Sequence, residues 1–158
     1  MVDFADFLVT SPDDRVQLAV EAKRYVGADP TWVAALRRNL LAHSPVPRAR
    51  FFLLALPDRF YLWKDAPVDE PVPPQYTIDA RSELARYTEA LHTDPAELSG
   101  EGFELLVQAW LGDLLAAGPT HEGERAPTDE ARRSWLVDSG LWEAVRAGRL
   151  RAPAARNR

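Results

Sequence analysis

The feature that most restricts the fold is an apolar stretch in the middle of the chain that is interrupted only once. Residues 49 to 56 and 60 to 64 are rich in aliphatic and aromatic side chains, and the Pro-Asp-Arg tripeptide at 57 to 59 is typical of a hairpin turn. Such strands leave no polar face for water, so they belong in a sheet that is covered on both faces. We expect Trp63 to lie in the core and Asp58 to be a turn residue.

A second hairpin is predicted near the start of the chain, with a Ser-Pro-Asp-Asp turn at residues 11 to 14. Asp6 opens its first strand, and Glu21 and Lys23 close its second strand. Alternate residues of a strand face opposite sides of a sheet, so Glu21 and Lys23 project together. Charged groups at the ends of apolar strands are costly to desolvate unless they bind something, and the pattern therefore indicates a metal site.

The position of Asp6 depends on the register of this hairpin. If Thr10 pairs with Arg15, Asp6 lies opposite Ala19 and diagonal to Glu21, on the same face of the sheet. A turn that is one residue longer would move Asp6 to the other face. The alternative interpretation is that Glu-x-Lys is only a solvated ion pair at a strand end.

An acid, fourteen residues and then Glu-x-Lys, followed by an amphipathic helix and two apolar strands, resembles the PD-(D/E)xK nuclease superfamily. The resemblance covers about residues 3 to 64, and the segment from 51 to 64 is similar to the later strands of bacterial members. It implies an α/β or α+β fold with a restriction-endonuclease-like core. We expect a small mixed sheet, a crossover helix and a helical C-terminal half.

The resemblance also implies roles for individual residues. Asp6 and Glu21 would hold Mg²⁺ or Mn²⁺, and the backbone carbonyl of Ala22 is a further candidate ligand. The ion would polarise a scissile phosphate and lower the pKa of a bound water. Lys23 would position that water or stabilise the developing negative charge. The implied reaction is hydrolysis of a phosphodiester bond in nucleic acid.

The sequence departs from the superfamily pattern around the first acid. Ala5 precedes the first acid where many members have proline, which is a mild change. Members commonly have a helix and a strand before the acid, and because only five residues stand before Asp6 we expect the entry helix to be missing. Either a later segment such as residues 100 to 117, with Glu101 and Glu104, replaces that helix, or the chain is a shortened or inactive form.

The other predicted elements follow from capping and periodicity. A helix over Pro30 to His43 begins after Asp29 as a cap, with Arg37 and Arg38 turned largely outward. The remaining predictions are a proline-rich loop at 65 to 80, helices at 81 to 92, 100 to 117 and about 129 to 147, and a disordered tail at 151 to 158. We expect the last helix to break at Ser139-Gly140.

Composition favours one compact domain, because 158 residues at 46% hydrophobic are enough for a real core. The absence of cysteine excludes disulfides and thiolate metal sites, and we expect a cytoplasmic protein without a membrane partner. A net charge of -5 argues against tight nucleic-acid binding over the whole surface. Local contact to nucleic acid is predicted for Arg24, Arg37 and Arg38, although Arg37 and Arg38 are equally well explained as the wet face of a helix.

Two functions therefore stay open. The first is a metal-dependent endonuclease whose substrate is nucleic acid, with DNA expected. The second is a catalytically inactive module that keeps the fold and binds a protein partner through its apolar helices. A homodimer is compatible with either function.

Overall fold

We describe the protein from a computed structural model, which places residues 6 to 43, 49 to 117 and 134 to 152. These residues form a mixed α/β structure with one six-stranded sheet. The strands are β1 (Phe7–Thr10), β2 (Val16–Ala22), β3 (Phe51–Ala55), β4 (Arg59–Lys64), β5 (Tyr76–Asp79) and β6 (Arg149–Arg151). Their order in the sheet is β5-β4-β3-β2-β1-β6, and the two predicted hairpins are confirmed within it.

The helices of the described residues are α1 (Pro30–His43), α2 (Ala80–Leu91), α3 (Gly100–Ala117), α4 (Ser134–Asp138) and α5 (Leu141–Val145), with a short 3-10 helix at Pro95–Glu97. The start of α1 follows the predicted cap, since Asp29 Oδ1 accepts a hydrogen bond of 2.8 Å from the Trp32 amide. The predicted break between α4 and α5 is confirmed. Ser139 Oγ accepts from the Leu141 amide there, and Gly140 has a φ of 86°.

The relative direction of β2 and β3 fits the helix α1 between them. This helix connects β2 to β3, and these two strands are parallel, as a crossover connection allows. Every other neighbouring pair in the sheet is antiparallel. The sheet is therefore mixed, as expected, and the carboxyl ends of β2 and β3 meet at one edge.

Both faces of the sheet are covered, as the apolar strands predict. Along β3, Phe51, Leu53 and Ala55 face a core layer that contains α2, α3, α4 and α5, which we call the helical side. Phe52 and Leu54 face a smaller layer with α1, which we call the α1 side. Trp63 belongs to the α1 side, is buried as predicted, and donates its indole N–H to the Val72 carbonyl at 2.8 Å.

Two short strands were not predicted. β5 lies within the segment that was predicted to be a loop, and it pairs with β4, with Ile78 buried in the core. β6 includes Arg151, which was assigned to a disordered tail, and it pairs with β1. Both strands are formed by pairing with distant segments. The predicted helical residues 129 to 133 and the tail residues 153 to 158 lie outside the described residues.

A search of the helices in the described ranges finds none with the length and apolarity that crossing a membrane requires. The longest, α3, spans residues 100 to 117 and carries three carboxylates, at Glu101, Glu104 and Asp113. Its apolar side chains, among them Phe103, pack against the sheet.

Candidate active site

Asp6 and Glu21 are brought together by a register that differs from the predicted one. Thr10 pairs with Val16 in place of Arg15, and the pairing shifts again between Val9 and Thr10. Phe7 consequently pairs with Val20, so Asp6 comes alongside Glu21 and not alongside Ala19. The turn is one residue longer than predicted and the bulge adds another, and these two changes together return Asp6 to the predicted face.

That face is the α1 side of the sheet. Leu8 of β1 and Ala19 of β2 both pack in the α1 layer, and alternation places Asp6 and Glu21 with them. Both acids are buried, with exposed fractions of 2% for Asp6 and 5% for Glu21. The prediction that the two carboxylates share one face agrees with this arrangement.

Asp6 is fixed by a backbone contact across the hairpin. Its Oδ2 accepts a hydrogen bond of 2.7 Å from the Ala22 amide, one residue before β1 begins at Phe7. The carboxylate thereby takes the place of a backbone carbonyl and extends the pairing of the two strands by one step. Asp6 consequently has a structural role whether or not it also binds an ion.

Glu21 and Lys23 form an ion pair of 3.2 Å between Lys23 Nζ and Glu21 Oε2. The Glu21 side chain is 7% exposed and the Lys23 side chain 43% exposed, so the ammonium group lies between the buried acid and solvent. The backbone of Lys23 is held as well, because its amide donates to the Ala55 carbonyl at 3.0 Å. The alternative interpretation as an ion pair agrees with this contact, although Glu21 is buried and not solvated.

No third acid joins the pair within the described residues, where no group of three or more His, Cys, Asp or Glu side chains is placed to hold a metal ion. The candidate replacements Glu101 and Glu104 are on α3, whose buried residues pack on the helical side of the sheet. α3 therefore does not bring a carboxylate to the face that carries Asp6 and Glu21. The Ala22 carbonyl stays a predicted ligand.

The three arginines that were predicted to contact nucleic acid differ in exposure. Arg24 and Arg38 are exposed, whereas Arg37 is 3% exposed, and its predicted outward orientation is wrong. Arg37 donates to the carbonyls of Pro67 and Ala66 at 2.9 and 3.2 Å, and its guanidinium lies 5.5 Å from the Trp63 ring centroid. These partners come from a distant segment, which is why helical periodicity alone did not reveal them.

An aromatic pair beside the site was also missed. Tyr25 and Trp32 stack at a centroid distance of 4.5 Å with an angle of 19° between the rings, and they are 47% and 38% exposed. Tyr25 follows Lys23 closely, and its amide donates to the Lys23 carbonyl at 3.1 Å. The only signal of this stacked pair in the sequence is that one aromatic residue stands on each side of the Asp29 cap.

Asp58 tethers the loop that leaves β2. Its Oδ2 accepts from the Gly27 amide at 3.1 Å, and Gly27 has a φ of 79°, which glycine adopts without strain. The Tyr61 hydroxyl donates to the Ala28 carbonyl at 3.3 Å. Burial raises the pKa of Tyr61, and the nearby Asp58 charge adds to that effect. The turn role predicted for Asp58 therefore extends to holding the loop next to the candidate site.

Comparison of the chain with family models, with curated proteins and with solved structures finds no significant match.

Proposed function

We propose that the chain has a restriction-endonuclease-like core of the PD-(D/E)xK type and hydrolyses phosphodiester bonds of nucleic acid with Mg²⁺ or Mn²⁺. The observation that carries this proposal is the burial of two carboxylates, Asp6 directly before β1 and Glu21 on the neighbouring strand β2, with Lys23 ion-paired to Glu21. DNA is the substrate we favour, and we propose a cytoplasmic location.

The residues fit a hard divalent cation. Carboxylates and a carbonyl are oxygen donors, the class that Mg²⁺ prefers, and Asp6, Glu21 and the Ala22 carbonyl would supply them. Both carboxylates are buried, and a divalent cation would offset the cost of holding them away from water. When bound, the ion would polarise the scissile phosphate and lower the pKa of a bound water.

Lys23 would act on the negative charge that develops at the phosphate. Its ammonium group is ion-paired to Glu21 and its side chain is 43% exposed, so a substrate phosphate can approach it from solvent. Asp6 would also keep the ends of β1 and β2 together through its hydrogen bond to the Ala22 amide. The parallel pairing of β2 and β3 through α1 supports the proposed core.

Nuclease assays on two site variants test this function. Wild type, Glu21→Gln and Lys23→Met would be incubated with single- and double-stranded DNA and RNA, in Mg²⁺, Mn²⁺ or chelator. We expect metal-dependent cleavage by wild type and a loss of about 100-fold or more in each variant. The matched control is Glu143→Gln, which removes an exposed ion pair with Arg146 and should leave cleavage unchanged. Equal cleavage by wild type and Glu21→Gln would refute the site.

Metal binding can be measured without knowing the substrate. Calorimetric titration of Mn²⁺ should give binding in wild type and in Glu143→Gln, and a loss of binding in Glu21→Gln. Thermal unfolding of the same three proteins separates loss of a ligand from loss of the fold. Retained binding in Glu21→Gln would contradict the assignment of that carboxylate.

The second candidate function is a nuclease-like module that binds protein without catalysis. Exposed apolar side chains beside the site favour it, namely the stacked Tyr25 and Trp32 and the neighbouring Val26, which is 46% exposed. This function predicts no cleavage and no Mn²⁺ binding by wild type. Light scattering of wild type and Trp32→Ser would then show whether the surface forms a homodimer, since the variant should be monomeric if it does.

A further inference from the structure

A cavity of about 810 Å³ opens on the α1 side of the sheet at the opposite end of β2 from Asp6 and Glu21. It lies between β2, β3, β4, α1 and the segment that follows β4, and Val16 and Ala19 of β2 line it. The candidate active-site residues Asp6, Glu21 and Lys23 do not line it. The cavity is therefore separate from the proposed nuclease site.

The walls of the cavity are apolar with a small cationic part. Phe52 and Trp63 form an aromatic surface, at 5.8 Å between ring centroids in an edge-on arrangement. The charged lining residues are Arg15, Arg37, Arg50 and Asp65, which give a formal charge of three minus one, or +2. This positive sum is opposite to the net charge of -5 of the whole chain.

Arg37 has no carboxylate partner among the residues that the structure describes. Its terminal nitrogens donate to the carbonyls of Pro67 and Ala66, and its Nε is buried with no hydrogen-bond partner. Burial lowers the pKa of the guanidinium, which reflects the cost of holding a cation away from water. A buried charge that lacks an opposite charge is destabilising, and an anion in the adjoining cavity would offset that cost.

Arg50 adds a second cation within reach of solvent. Its side chain is 50% exposed, and its contact to Asp65 is a loose one, at 3.6 Å from Nε. A screened surface pair of this kind contributes little to stability, so Arg50 can exchange Asp65 for another carboxylate at little cost. The guanidinium fork also matches the geometry of a carboxylate.

We propose that this cavity binds a small amphiphilic carboxylate, with its apolar body against Phe52 and Trp63 and its carboxylate towards Arg37 and Arg50. The volume is within the range of about 300 to 1,000 Å³ that is usual for small-molecule sites, and the lining has the usual mixture of apolar surface and a few polar groups. A ligand without an apolar body would leave the aromatic surface wet. A neutral ligand would leave the Arg37 charge without an opposite charge.

Calorimetry with decanoate as the probe tests the proposal, with 1-decanol and inorganic phosphate as comparisons. We expect decanoate to bind to the full-length protein with a Kd below about 1 mM, and decanol and phosphate each to bind at least about 10-fold more weakly. Equal affinity for decanol would show that the charge is not recognised. Equal affinity for phosphate would show that the apolar walls are not used. Either result, or no binding of decanoate, overturns the proposal.

Three variants locate the site. Arg50→Gln should weaken decanoate binding about 3- to 10-fold, whereas the control Arg146→Gln, an exposed arginine in another ion pair, should not change it. Ala49→Trp places a large side chain in the lining and should abolish binding. If Ala49→Trp does not fold, the test of the location rests on Arg50→Gln. The Arg50 side chain is half exposed, so this variant should fold. Unchanged affinity in Arg50→Gln would refute the location.

Discussion

Glu83 shows how this fold accommodates a buried carboxyl group that forms no ion pair with the described residues. It is on α2, and its two carboxylate oxygens accept from the indole N–H groups of Trp110 on α3 and Trp135 on α4, at 3.2 and 3.1 Å. Three helices are thereby joined by one side chain. The helical periodicity that predicts a helix over residues 100 to 117 gives no indication that a carboxylate from another helix receives the Trp110 N–H.

Replacing Glu83 by alanine should destabilise the protein strongly. Two buried indole N–H groups would lose their acceptor, and each such loss costs about 1 to 3 kcal/mol. We expect the free energy of unfolding in urea to fall by roughly 2 to 5 kcal/mol. Glu83→Gln keeps one carbonyl acceptor, so its free energy of unfolding should decrease by less. Glu89→Ala, at an exposed position of the same helix, is the control, and an equal change in both alanine variants would contradict the role of Glu83.

At the candidate site, the sequence predicts which face of the sheet carries Asp6 and Glu21 better than it predicts the residues that contact them. Alternation along β2 is a local property, and it places Glu21 correctly on the face of Ala19. The register opposite Asp6 depends on a bulge, which has no clear sequence signal at Val9 and Thr10. Arg37 is turned inward by carbonyls from the segment after β4, and such distant partners are invisible to helical periodicity.

At the level of elements, long segments with their own periodicity were predicted and short edge strands were not. The bounds of α1 and α3 agree with the predicted ranges, because caps and apolar spacing are encoded within each helix. β5 has four residues and β6 three, too few for an alternating pattern to be distinguished from chance. Each of these strands exists because a neighbouring strand offers it backbone partners.

The docking of β6 depends on Gly148. A Cβ atom at this position would come within 2.6 Å of the Thr10 carbonyl oxygen and 2.7 Å of the Val145 carbonyl oxygen, and neither backbone can move easily. Gly148→Ala should therefore displace β6 from β1. We expect faster amide hydrogen exchange in residues 8 to 10 and 149 to 151, with smaller effects elsewhere.

Gly112→Ala is the matched control for that experiment. The added methyl group at Gly112 meets no atom within 4 Å, and the position is inside α3. Alanine has the higher helix propensity, so this variant should be as stable as wild type or more stable by up to about 1 kcal/mol. Unchanged exchange of β6 in Gly148→Ala would show that the strand tolerates the added atom.

For the whole molecule, one sheet provides part of both core layers. Leu53 and Leu54 are consecutive residues of β3, both fully buried, and they point to the helical side and to the α1 side. Because the same strand supports both layers, neither layer can lose its packing alone. We infer that the core layers on the helical side and on the α1 side belong to a single folding unit.

Leu53→Ala and Leu54→Ala test this inference as a matched pair. Each substitution removes similar apolar volume, and each should lower stability by about 2 to 5 kcal/mol. Both variants should retain one transition, with tryptophan fluorescence and far-ultraviolet circular dichroism changing at the same urea concentration. A second transition in either variant would mean that the two layers unfold separately.

The bulge beside Thr10 has a consequence for how such a chain can vary in evolution. Gaining or losing one residue between Asp6 and Glu21 would still permit a hairpin, yet it would turn one carboxylate towards the opposite layer of the core. Gaining or losing two residues would restore the shared face. Insertions and deletions in this hairpin are therefore limited by whether their number is odd or even, and homologues with an active site of this kind should differ here by even numbers of residues.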